Sequence, residues 1–484
     1  MISDRIYEWA RIQPEKIALI QNEISISYAV FAQAIETARI YFAQKNLPHG
    51  KTAVVIIERL TDAWINVLAL RSLGLVTICA HSMASARELN IGDVACVVTT
   101  QADIAAQRLR GSLPEGAQLV IVPSEGHGVA GGDIAALPRE AHRHGGHLLY
   151  TSGTTGLYKK VLQKGEDEDV MLERLSRIRS VSSDDVFHAL NFPLWTAAGF
   201  RSPLARWYAG GTVMLDQRPG MLRGVLAPEV TNTFLIVPML KILLDEYVGE
   251  PVRKERFEVS MGAGFIPLSL VEKAKQVFDA KIVNVYASTE CPEVLRSTIR
   301  DKEDIYWFEP ITDRTIEIVD DDGETVGVDE EGELRIGLMR GDADCYQDDA
   351  DASARFFRDG YFYPGDLAVR RADGRIRILG RASDVLNVQG FKLAAAPLEE
   401  KARAILGVEM VCMFSALNEA GEEDLVIAIE GRGELAKSVL DDLRSAFARL
   451  GNIRIETVAE FPRTEAGMQK VNRRELRKRV FGEA

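Results

Sequence analysis

The chain has few cysteines and lacks the spacings that would give them a structural role. None of its five cysteines stands in a C-x-x-C pair. Such pairs are typical of zinc sites, and closely spaced even sets are typical of disulfide-rich secreted domains. We therefore expect neither a structural zinc nor a disulfide framework, and a reducing cytoplasm as the compartment. The cysteines are Cys79, Cys96, Cys291, Cys345 and Cys412.

Long apolar runs and an excess of positive charge are also missing. No stretch approaches the roughly 20 apolar residues that a helix needs to cross a bilayer. The first residues, from Met1 to Arg5, lack the apolar centre of a secretory signal. The formal net charge is −13, and an acidic surface repels phosphate backbones. We therefore expect a cytoplasmic protein that binds neither membranes nor nucleic acid, and any anionic nucleotide would need a local reversal of charge inside a cleft.

A strand–helix–strand rhythm is present early in the chain. The β-branched run 52–57 predicts a strand, residues 60–73 have the apolar spacing of a helix, and residues 75–79 are strand-like again. Residues 124–146 are rich in glycine and histidine, which is typical of a surface loop. Further short strands are predicted at 118–122, 234–237 and 282–285. Alternation of this kind predicts an α/β fold.

The pattern changes near residue 312. Short strands separated by Asp-Gly turns then predict a small antiparallel β unit. After residue 382, helices and strands mix over about 100 residues, the size of an independent α+β domain. We expect a large N-terminal domain of α/β subdomains plus the β unit, residues 1–382, and a smaller α+β C-terminal domain, residues 383–484. The strands of the β unit are predicted at 315–319, 333–336 and 375–379, and the C-terminal helices at 397–405 and 434–450.

A glycine- and hydroxyl-rich segment at 150–161 is the most informative local feature. Its glycines free the backbone to approach a ligand, while its hydroxyls and lysine supply donors for phosphate oxygens. The Walker pattern GxxxxGK[ST] is absent. Taken alone, the segment is compatible with a phosphate-binding loop or with a polar connector. The candidate phosphate-binding residues are Thr151, Ser152, Gly153, Thr154, Thr155, Gly156 and Lys159.

This segment resembles the phosphate loop YTSGTTGxPKG of the adenylate-forming superfamily, which includes acyl- and aryl-CoA synthetases, adenylation domains and luciferases. Tyr158 and Lys160 stand where the family usually has proline and glycine. Further family motifs follow in the same order along almost the whole chain. The resemblance implies an AMP-binding N-terminal domain, ATP with Mg²⁺, and a small-molecule carboxylic acid as substrate.

A second motif, residues 284–290, resembles the family's YGxTE. By that resemblance Tyr286 packs on adenine, Thr289 contacts the α-phosphate, and Glu290 holds Mg²⁺, a hard cation that prefers carboxylate oxygen. A third motif, Gly365-Asp366, resembles W-x-x-TGD and implies a carboxylate that accepts hydrogen bonds from the ribose. Residues 262–264 resemble the family's GGAPL segment beside the adenine, and Arg381 belongs to a later family motif. The nucleotide-binding residues that the resemblance implies are Gly262, Ala263, Gly264, Tyr286, Ala287, Ser288, Asp366 and Arg381.

Two motifs in the last hundred residues imply a mobile C-terminal domain. Residues 380–393 resemble GRxDDxIxxxGxRI, which places Ser383 at the hinge and Gly390 beside the tunnel for coenzyme A. Residues 461–476 resemble PRTxxGKVxRxxL, which makes Lys470 the catalytic lysine of adenylation. Met468 and Gln469 interrupt the family's Gly-Lys pair. A solvated basic terminal helix over 470–479 is the alternative at this point.

The segment 191–199 resembles the family's substrate segment PLFHxxGL. It has no carboxylate to pair with an α-amino group, which disfavours amino-acid substrates because an unpaired buried ammonium is costly. Trp195, Thr196 and Ala287 are expected to form the pocket. The bulk of Trp195 and the extra methyl of Ala287 favour a compact acid, either aromatic or short to medium aliphatic.

Three functions fit these motifs. The first is an ATP-dependent carboxylic acid–CoA ligase that forms an acyl-adenylate and then a CoA thioester. The second is a stand-alone adenylating enzyme that loads the phosphopantetheine of a carrier protein. The third is a nucleotide-binding regulatory homologue with weak catalysis, because fold and motifs do not by themselves fix function. A homodimer is compatible with all three.

Overall fold

The structure, a computed structural model, describes most of the 484 residues. The described ranges are 1–22, 24–100, 113–123, 144–152, 158–216, 220–264, 266–382, 385–388, 391–408, 410–417, 423–431, 435–450, 452–463 and 471–481.

The helices alternate with strands through most of the chain. The helices are α1 (Ile2–Ile12), α2 (Tyr28–Ala43), α3 (Leu60–Ser72), α4 (Met83–Glu88), α5 (Glu168–Ile178), α6 (Ala197–Ala209), α7 (Met221–Gly224), α8 (Val237–Glu246), α9 (Leu268–Val277), α10 (Ala350–Phe356), α11 (Ala395–Leu406), α12 (Lys437–Phe447) and α13 (Arg473–Phe481). No helix among the described ranges is long and apolar enough to cross a membrane.

The strands fall into four sheets. They are β1 (Ile17–Gln21), β2 (Ile24–Ser27), β3 (Thr52–Ile56), β4 (Val76–Cys79), β5 (Val94–Thr99), β6 (Gln118–Ile121), β7 (Gly146–Ser152), β8 (Tyr158–Lys164), β9 (Val186–His188), β10 (Thr212–Leu215), β11 (Asn232–Leu235), β12 (Val252–Gly262), β13 (Phe278–Tyr286), β14 (Leu295–Thr298), β15 (Trp307–Pro310), β16 (Ile316–Val319), β17 (Glu331–Gly337), β18 (Phe357–Arg358), β19 (Tyr361–Phe362), β20 (Asp366–Arg370), β21 (Ile376–Arg381), β22 (Val385–Val388), β23 (Phe391–Ala394), β24 (Val411–Leu417), β25 (Glu423–Glu430) and β26 (Ile453–Val458).

The first sheet has six strands in the order β6-β5-β3-β4-β7-β8. All its pairings are parallel except that between β7 and β8. The helix α3 is buried along nearly its whole length, and Trp64 within it stacks on Phe200 with ring centroids 5.4 Å apart. Because nearly every residue of α3 is buried, its polar ones included, the helix is covered on all sides and joins this sheet to α6 in one hydrophobic core.

The second sheet carries a run of parallel strands in the order β1-β10-β9-β11-β12-β13. Their carboxyl ends lie along one edge, where crevices for ligands form in open α/β sheets. The same sheet continues through antiparallel strands β14, β15, β21, β20 and β17, of which β21, β20 and β17 belong to the β unit expected after residue 312. That unit has its own apolar cluster, which includes Leu334, Ile336 and Ile376.

Residues 386–480 build a separate hydrophobic cluster around the three-stranded sheet β24-β25-β26. Helix α11 of this region packs against β21, and Arg377 pairs with Glu400 at 2.6 Å. The mixed α/β architecture with a smaller α+β C-terminal part agrees with the fold class expected from the sequence.

Two details differ from the sequence expectation. The strand expected at 234–237 is β11, which ends at Leu235; helix α8 then begins at Val237 with proline at its start. Proline lacks the N–H that a strand ladder needs but fits the first turn of a helix. The loop expected at 124–146 lies largely outside the described residues, and Gly146 already belongs to β7.

Candidate active site

Two adjoining cavities open where the parallel strands end. The larger has a volume of about 610 Å³ and the smaller about 260 Å³. They share a wall, so that a ligand in one can meet a ligand in the other. The shared wall consists of Thr151, Ala263, Val285, Ala287, Ser288, Glu290 and Arg381.

The backbone at this wall is tightly constrained. A Cβ on Gly262 would meet the carbonyl oxygen of Val285 at 2.9 Å and the ring of Phe234 at 3.4 Å, so the close approach of β12 and β13 requires glycine there. The next residue, Ala263, has φ of +69°, which is rare for a residue with a side chain. Strained backbone of this kind concentrates at functional sites.

In the larger cavity Tyr286, Asp366 and Arg381 form one network. The Tyr286 hydroxyl donates to one carboxylate oxygen of Asp366, and Arg381 Nε lies 3.0 Å from the other. Burial and, after it, the Asp366 carboxylate raise the pKa of Tyr286 well above its ordinary value, so the hydroxyl stays protonated. Asp366 lines the larger cavity, and a carboxylate suits hydrogen-bond donors because its two oxygens can accept several hydrogen bonds at once.

Glu290 is buried and lies between the two cavities. Its Oε1 accepts a hydrogen bond of 2.7 Å from the hydroxyl of Tyr346, and burial followed by this carboxylate raises the pKa of Tyr346. Among the described residues no cluster of three or more His, Cys, Asp or Glu side chains could hold a metal. A single carboxylate suits Mg²⁺, because this ion commonly takes most of its ligands from water and phosphate.

Lys159 brings positive charge to the same place. Its ammonium lies 3.6 Å from the centre of the Phe356 ring and 4.7 Å from that of Tyr346. Burial lowers its pKa, with Glu290 and Asp349 acting in the opposite direction. Within a chain of net charge −13, this cation gives the larger cavity the local positive charge that an anionic ligand needs.

Lys160, which stands where the family usually has glycine, has a different role from Lys159. Its ammonium pairs with Asp348 at 2.6 Å and donates to the Asn90 carbonyl at 2.8 Å. The lysine therefore ties β8 to two neighbouring segments. Tyr158, in the usual proline position, packs its ring on Tyr150 with centroids 5.6 Å apart.

The segment after β13 forms a turn held by Ser288, whose hydroxyl accepts from the Cys291 N–H at 3.0 Å. Thr289 lines the smaller cavity, and its carbonyl accepts a 2.8 Å hydrogen bond from Arg201. Gly264 lines the larger cavity, and Gly262 the smaller.

The three expected pocket residues are placed differently from one another. Ala287 lies in the shared wall, and Thr196 lines the smaller cavity while capping helix α6 through a 3.1 Å bond from Gly199 N–H. Trp195 lines neither cavity: its ring lies 4.3 Å from that of His81 and 5.7 Å from that of Tyr150. Its expected place in the pocket wall is therefore corrected, because the indole packs into the core beside the site.

Several residues singled out from the sequence lie outside the described residues. These are Gly153, Thr154, Thr155, Gly156, Ser383, Gly390 and Lys470, together with the side chain of Ser152. The segment that contains Lys470 is bordered by an antiparallel bridge between Arg463 and Val471. Arg463 pairs with Glu430 at 2.9 Å and Arg473 with Glu399 at 2.6 Å, so both neighbouring arginines are engaged within the C-terminal region.

The sequence did not point to Tyr346, Phe356, Arg201 or Arg206. Tyr346 and Phe356 reach the larger cavity from the β unit, and the two arginines reach the smaller one from α6. The available signal was the presence of two arginines five residues apart in a largely apolar segment, Ala197–Ala209. Buried arginines are rare unless they have a task.

The chain matches the family described as AMP-binding enzyme over residues 6–341. This match covers more than half of the chain, and the protein belongs to that family.

Among individual relatives, the 2-hydroxy-7-methoxy-5-methyl-1-naphthoate–CoA ligase of Streptomyces carzinostaticus is 28% identical over 350 residues, 68% of this chain and 61% of that protein. The salicyl-AMP ligase / salicyl-S-ArCP synthetase of Mycobacterium tuberculosis is 28% identical over 278 residues, 52% of this chain and 46% of that protein. The chain thus aligns with about three fifths or less of the length of these relatives.

Among solved structures, the o-succinylbenzoate CoA synthetase of Bacillus subtilis in complex with its acyl-adenylate intermediate is similar over nearly the whole fold. The TM-score is 0.78 with 20% sequence identity, and the superposition covers 98% of this chain and 97% of the other. The similarity extends through the smaller C-terminal part and establishes the fold.

Proposed function

We propose that this protein is an AMP-forming carboxylic acid–CoA ligase. The observation that carries the proposal is the pair of adjoining cavities with Glu290 in their shared wall. The larger one joins Tyr286, Asp366, Lys159 and Arg381, a combination suited to the base, ribose and phosphates of ATP. The smaller one would hold the acid.

The reaction proposed is a two-step transfer. An oxygen of the acid's carboxylate forms a bond to the α-phosphorus of ATP, the bond to the bridging oxygen breaks, and pyrophosphate leaves. Mg²⁺ would neutralise charge on the departing phosphates, with Glu290 as its protein ligand. Lys159 and Arg381 would orient the phosphates, and the mixed anhydride would form at the wall shared by the two cavities.

In the second step the sulfur of coenzyme A attacks the acyl carbonyl, and AMP leaves with the carboxylate oxygen. We propose that residues 383–484 form a mobile domain that turns at Ser383 between the two steps, with Gly390 beside the incoming thiol. The contact between α11 and β21, which includes the Arg377–Glu400 pair, would then break and form again in each catalytic cycle. Motions of this kind often set the rate of turnover.

The acid itself is proposed to be compact. The smaller cavity, at about 260 Å³, lies below the range of pockets that hold drug-sized ligands. An acceptor other than coenzyme A is the second candidate, because the name of the M. tuberculosis relative includes synthesis of a carrier-protein thioester. A homodimer and a cytoplasmic location remain part of the proposal.

A screen of carboxylic acids for pyrophosphate release, with and without coenzyme A, tests the proposed function. We expect a subset of compact acids to give AMP and pyrophosphate only when Mg²⁺ is present, with faster multiple turnover when the thiol is added. Chelation with EDTA should stop the reaction. Release of ADP and orthophosphate would contradict adenylation, and turnover stimulated only by a carrier protein's phosphopantetheine would select the second candidate.

A further inference from the structure

The smaller cavity is unusually rich in arginine. Four arginines line it, Arg179, Arg201, Arg206 and Arg381, against two acidic residues, Glu290 and Glu293. A pocket for an acid that carries only its reacting carboxylate needs no such excess, because that carboxylate lies at the wall shared with the larger cavity.

Two of these arginines have acidic partners. Arg179 pairs with Glu293 at 2.5 Å, and Arg381 pairs with Asp366. Burial alone would raise the pKa of Glu293, but Arg179 and Arg296 hold it below its ordinary value, so this carboxylate is charged and shared between two cations. It forms no ion pair with Arg201 or Arg206, although its charge raises the pKa of Arg206 from beyond ion-pair distance.

Arg201 and Arg206 are both almost fully buried, with 3% and 6% of their surfaces exposed. No carboxylate of the described residues lies within ion-pair distance of either. Their hydrogen bonds go to neutral acceptors: Arg201 donates to the Gln163 amide oxygen at 3.0 Å and to the Thr289 carbonyl, and Arg206 donates to the Asn232 amide oxygen at 3.1 Å. In each guanidinium, Nη1 is buried without a partner in the part of the chain that the structure describes.

These groups nevertheless stay protonated at neutral pH. Burial lowers the pKa of each to about 10, which is still well above neutrality. Buried charges in proteins are normally paired, and an unpaired donor in a low-dielectric site carries a desolvation cost. The cavity wall therefore holds two cations without an ion-paired carboxylate among the described residues. More distant carboxylates, Asp342 and Glu290 for Arg201 and Asp185 and Glu258 for Arg206, offset the effect of burial only in part.

Arg201 and Arg206 lie at different points along the smaller cavity. Arg201 is next to the proposed reaction centre through its bond to Thr289, whereas Arg206 lies about 7.5 Å further along α6. Arg206 bonds to Asn232 at the start of β11, while the shared wall lies beyond the carboxyl ends of the parallel strands. Arg206 is thus at the end of the cavity away from the nucleotide, with its guanidinium 4.6 Å from the ring of Phe187.

We propose that the distal end of the acid pocket binds a second carboxylate, so that the preferred substrates are compact dicarboxylic acids. Arg206 would bind this carboxylate, and Arg201 would add positive charge between the distal end of the pocket and the reaction centre. The inference rests on the proposed function, because it assigns the smaller cavity to the acid. A planar carboxylate can take two N–H donors from one guanidinium, which supplies the partner that Arg206 Nη1 lacks.

The test compares diacids with their monoamides, which keep size and shape and lose one charge. Glutarate, adipate and terephthalate, each beside its monoamide, are titrated calorimetrically into the full-length protein without nucleotide and then assayed by ATP–pyrophosphate exchange. We expect at least one diacid to bind roughly 10- to 100-fold more tightly than its monoamide, the range for one charged hydrogen-bonded contact. Arg206→Met should abolish this preference without weakening the monoamide, and Arg206→Lys should retain part of it.

Arg256→Met is the matched control, because Arg256 is exposed, pairs with Asp185 and lines neither cavity. If Arg206→Met gives no cooperative thermal transition, the wild-type comparison and Arg206→Lys decide the matter. No diacid preference in the wild type, or equal loss for diacid and monoamide in Arg206→Met, would overturn the subsite. Selective binding of diacids without ATP–pyrophosphate exchange would leave the subsite intact and refute the ligase. Exchange that favours the monoamides would support the ligase and overturn the subsite.

Discussion

Lys470→Ala is expected to lower the rate of acyl-adenylate formation by about 10²- to 10³-fold, the loss typical of one preorganised charge-stabilising group. A mobile ammonium can bridge the incoming carboxylate and the α-phosphate as charge develops between them. The two nearby arginines, Arg463 and Arg473, are held in ion pairs with Glu430 and Glu399, which leaves the lysine as the proposed bridging cation. ATP–pyrophosphate exchange with the best acid of the screen measures this step.

The same variant separates the two half-reactions. Given a synthetic acyl-adenylate and coenzyme A, Lys470→Ala should form thioester at close to the wild-type rate, because the lysine acts only before pyrophosphate leaves. Lys478→Ala, in the terminal helix α13, is the matched control and should leave both steps unchanged. Equal damage to both half-reactions, or none to either, would remove Lys470 from the mechanism and make Arg463 and Arg473 the next cations to test.

Glu290→Gln is expected to reduce adenylate formation by a similar factor, about 10²- to 10³-fold. The amide keeps the shape of the side chain and its bond to Tyr346 but has no charge with which to hold Mg²⁺. The Mg²⁺ concentration needed for half-maximal exchange should therefore rise, while binding of the acid, measured without nucleotide, should stay near the wild-type value.

Tyr346→Phe provides the comparison for Glu290. It removes the 2.7 Å hydrogen bond to Glu290 Oε1 and leaves the carboxylate in place. We expect at most about a tenfold loss, the upper range for the net contribution of an ordinary hydrogen bond, because the carboxylate keeps its charge and loses only an orienting contact. If Glu290→Gln kept both the wild-type rate and its Mg²⁺ dependence, the carboxylate would have no part in holding the ion.

The sequence predicted the fold well because its main signals are local. Strand β3 and helix α3 are encoded by β-branched and apolar spacing within residues 52–73. The comparisons confirm the family that the motifs indicated. The smaller C-terminal part was expected from its size and composition, and the similarity to a solved structure over 98% of the chain agrees with it.

Contacts between distant segments were beyond such signals. Tyr286 and Asp366 are 80 residues apart, and their hydrogen bond follows from the way β20 and β13 enter one sheet. The placement of Trp195 failed for a related reason: bulk predicts burial, but the indole is buried against His81 and Tyr150 and not in the cavity wall. The charge of Arg201 and Arg206 is visible in the sequence, whereas only the fold shows that no carboxylate of the described residues forms an ion pair with them.

The central claim is that the acid's carboxylate oxygen attacks the α-phosphorus of ATP. An acid that supports exchange is prepared with ¹⁸O in its carboxylate and turned over with ATP, Mg²⁺ and coenzyme A, and the AMP is analysed by mass spectrometry. We predict that AMP acquires one ¹⁸O per turnover while pyrophosphate remains unlabelled, because the transferred oxygen leaves with the nucleotide when the thioester forms. Unlabelled AMP, or label in orthophosphate together with ADP, would contradict the account.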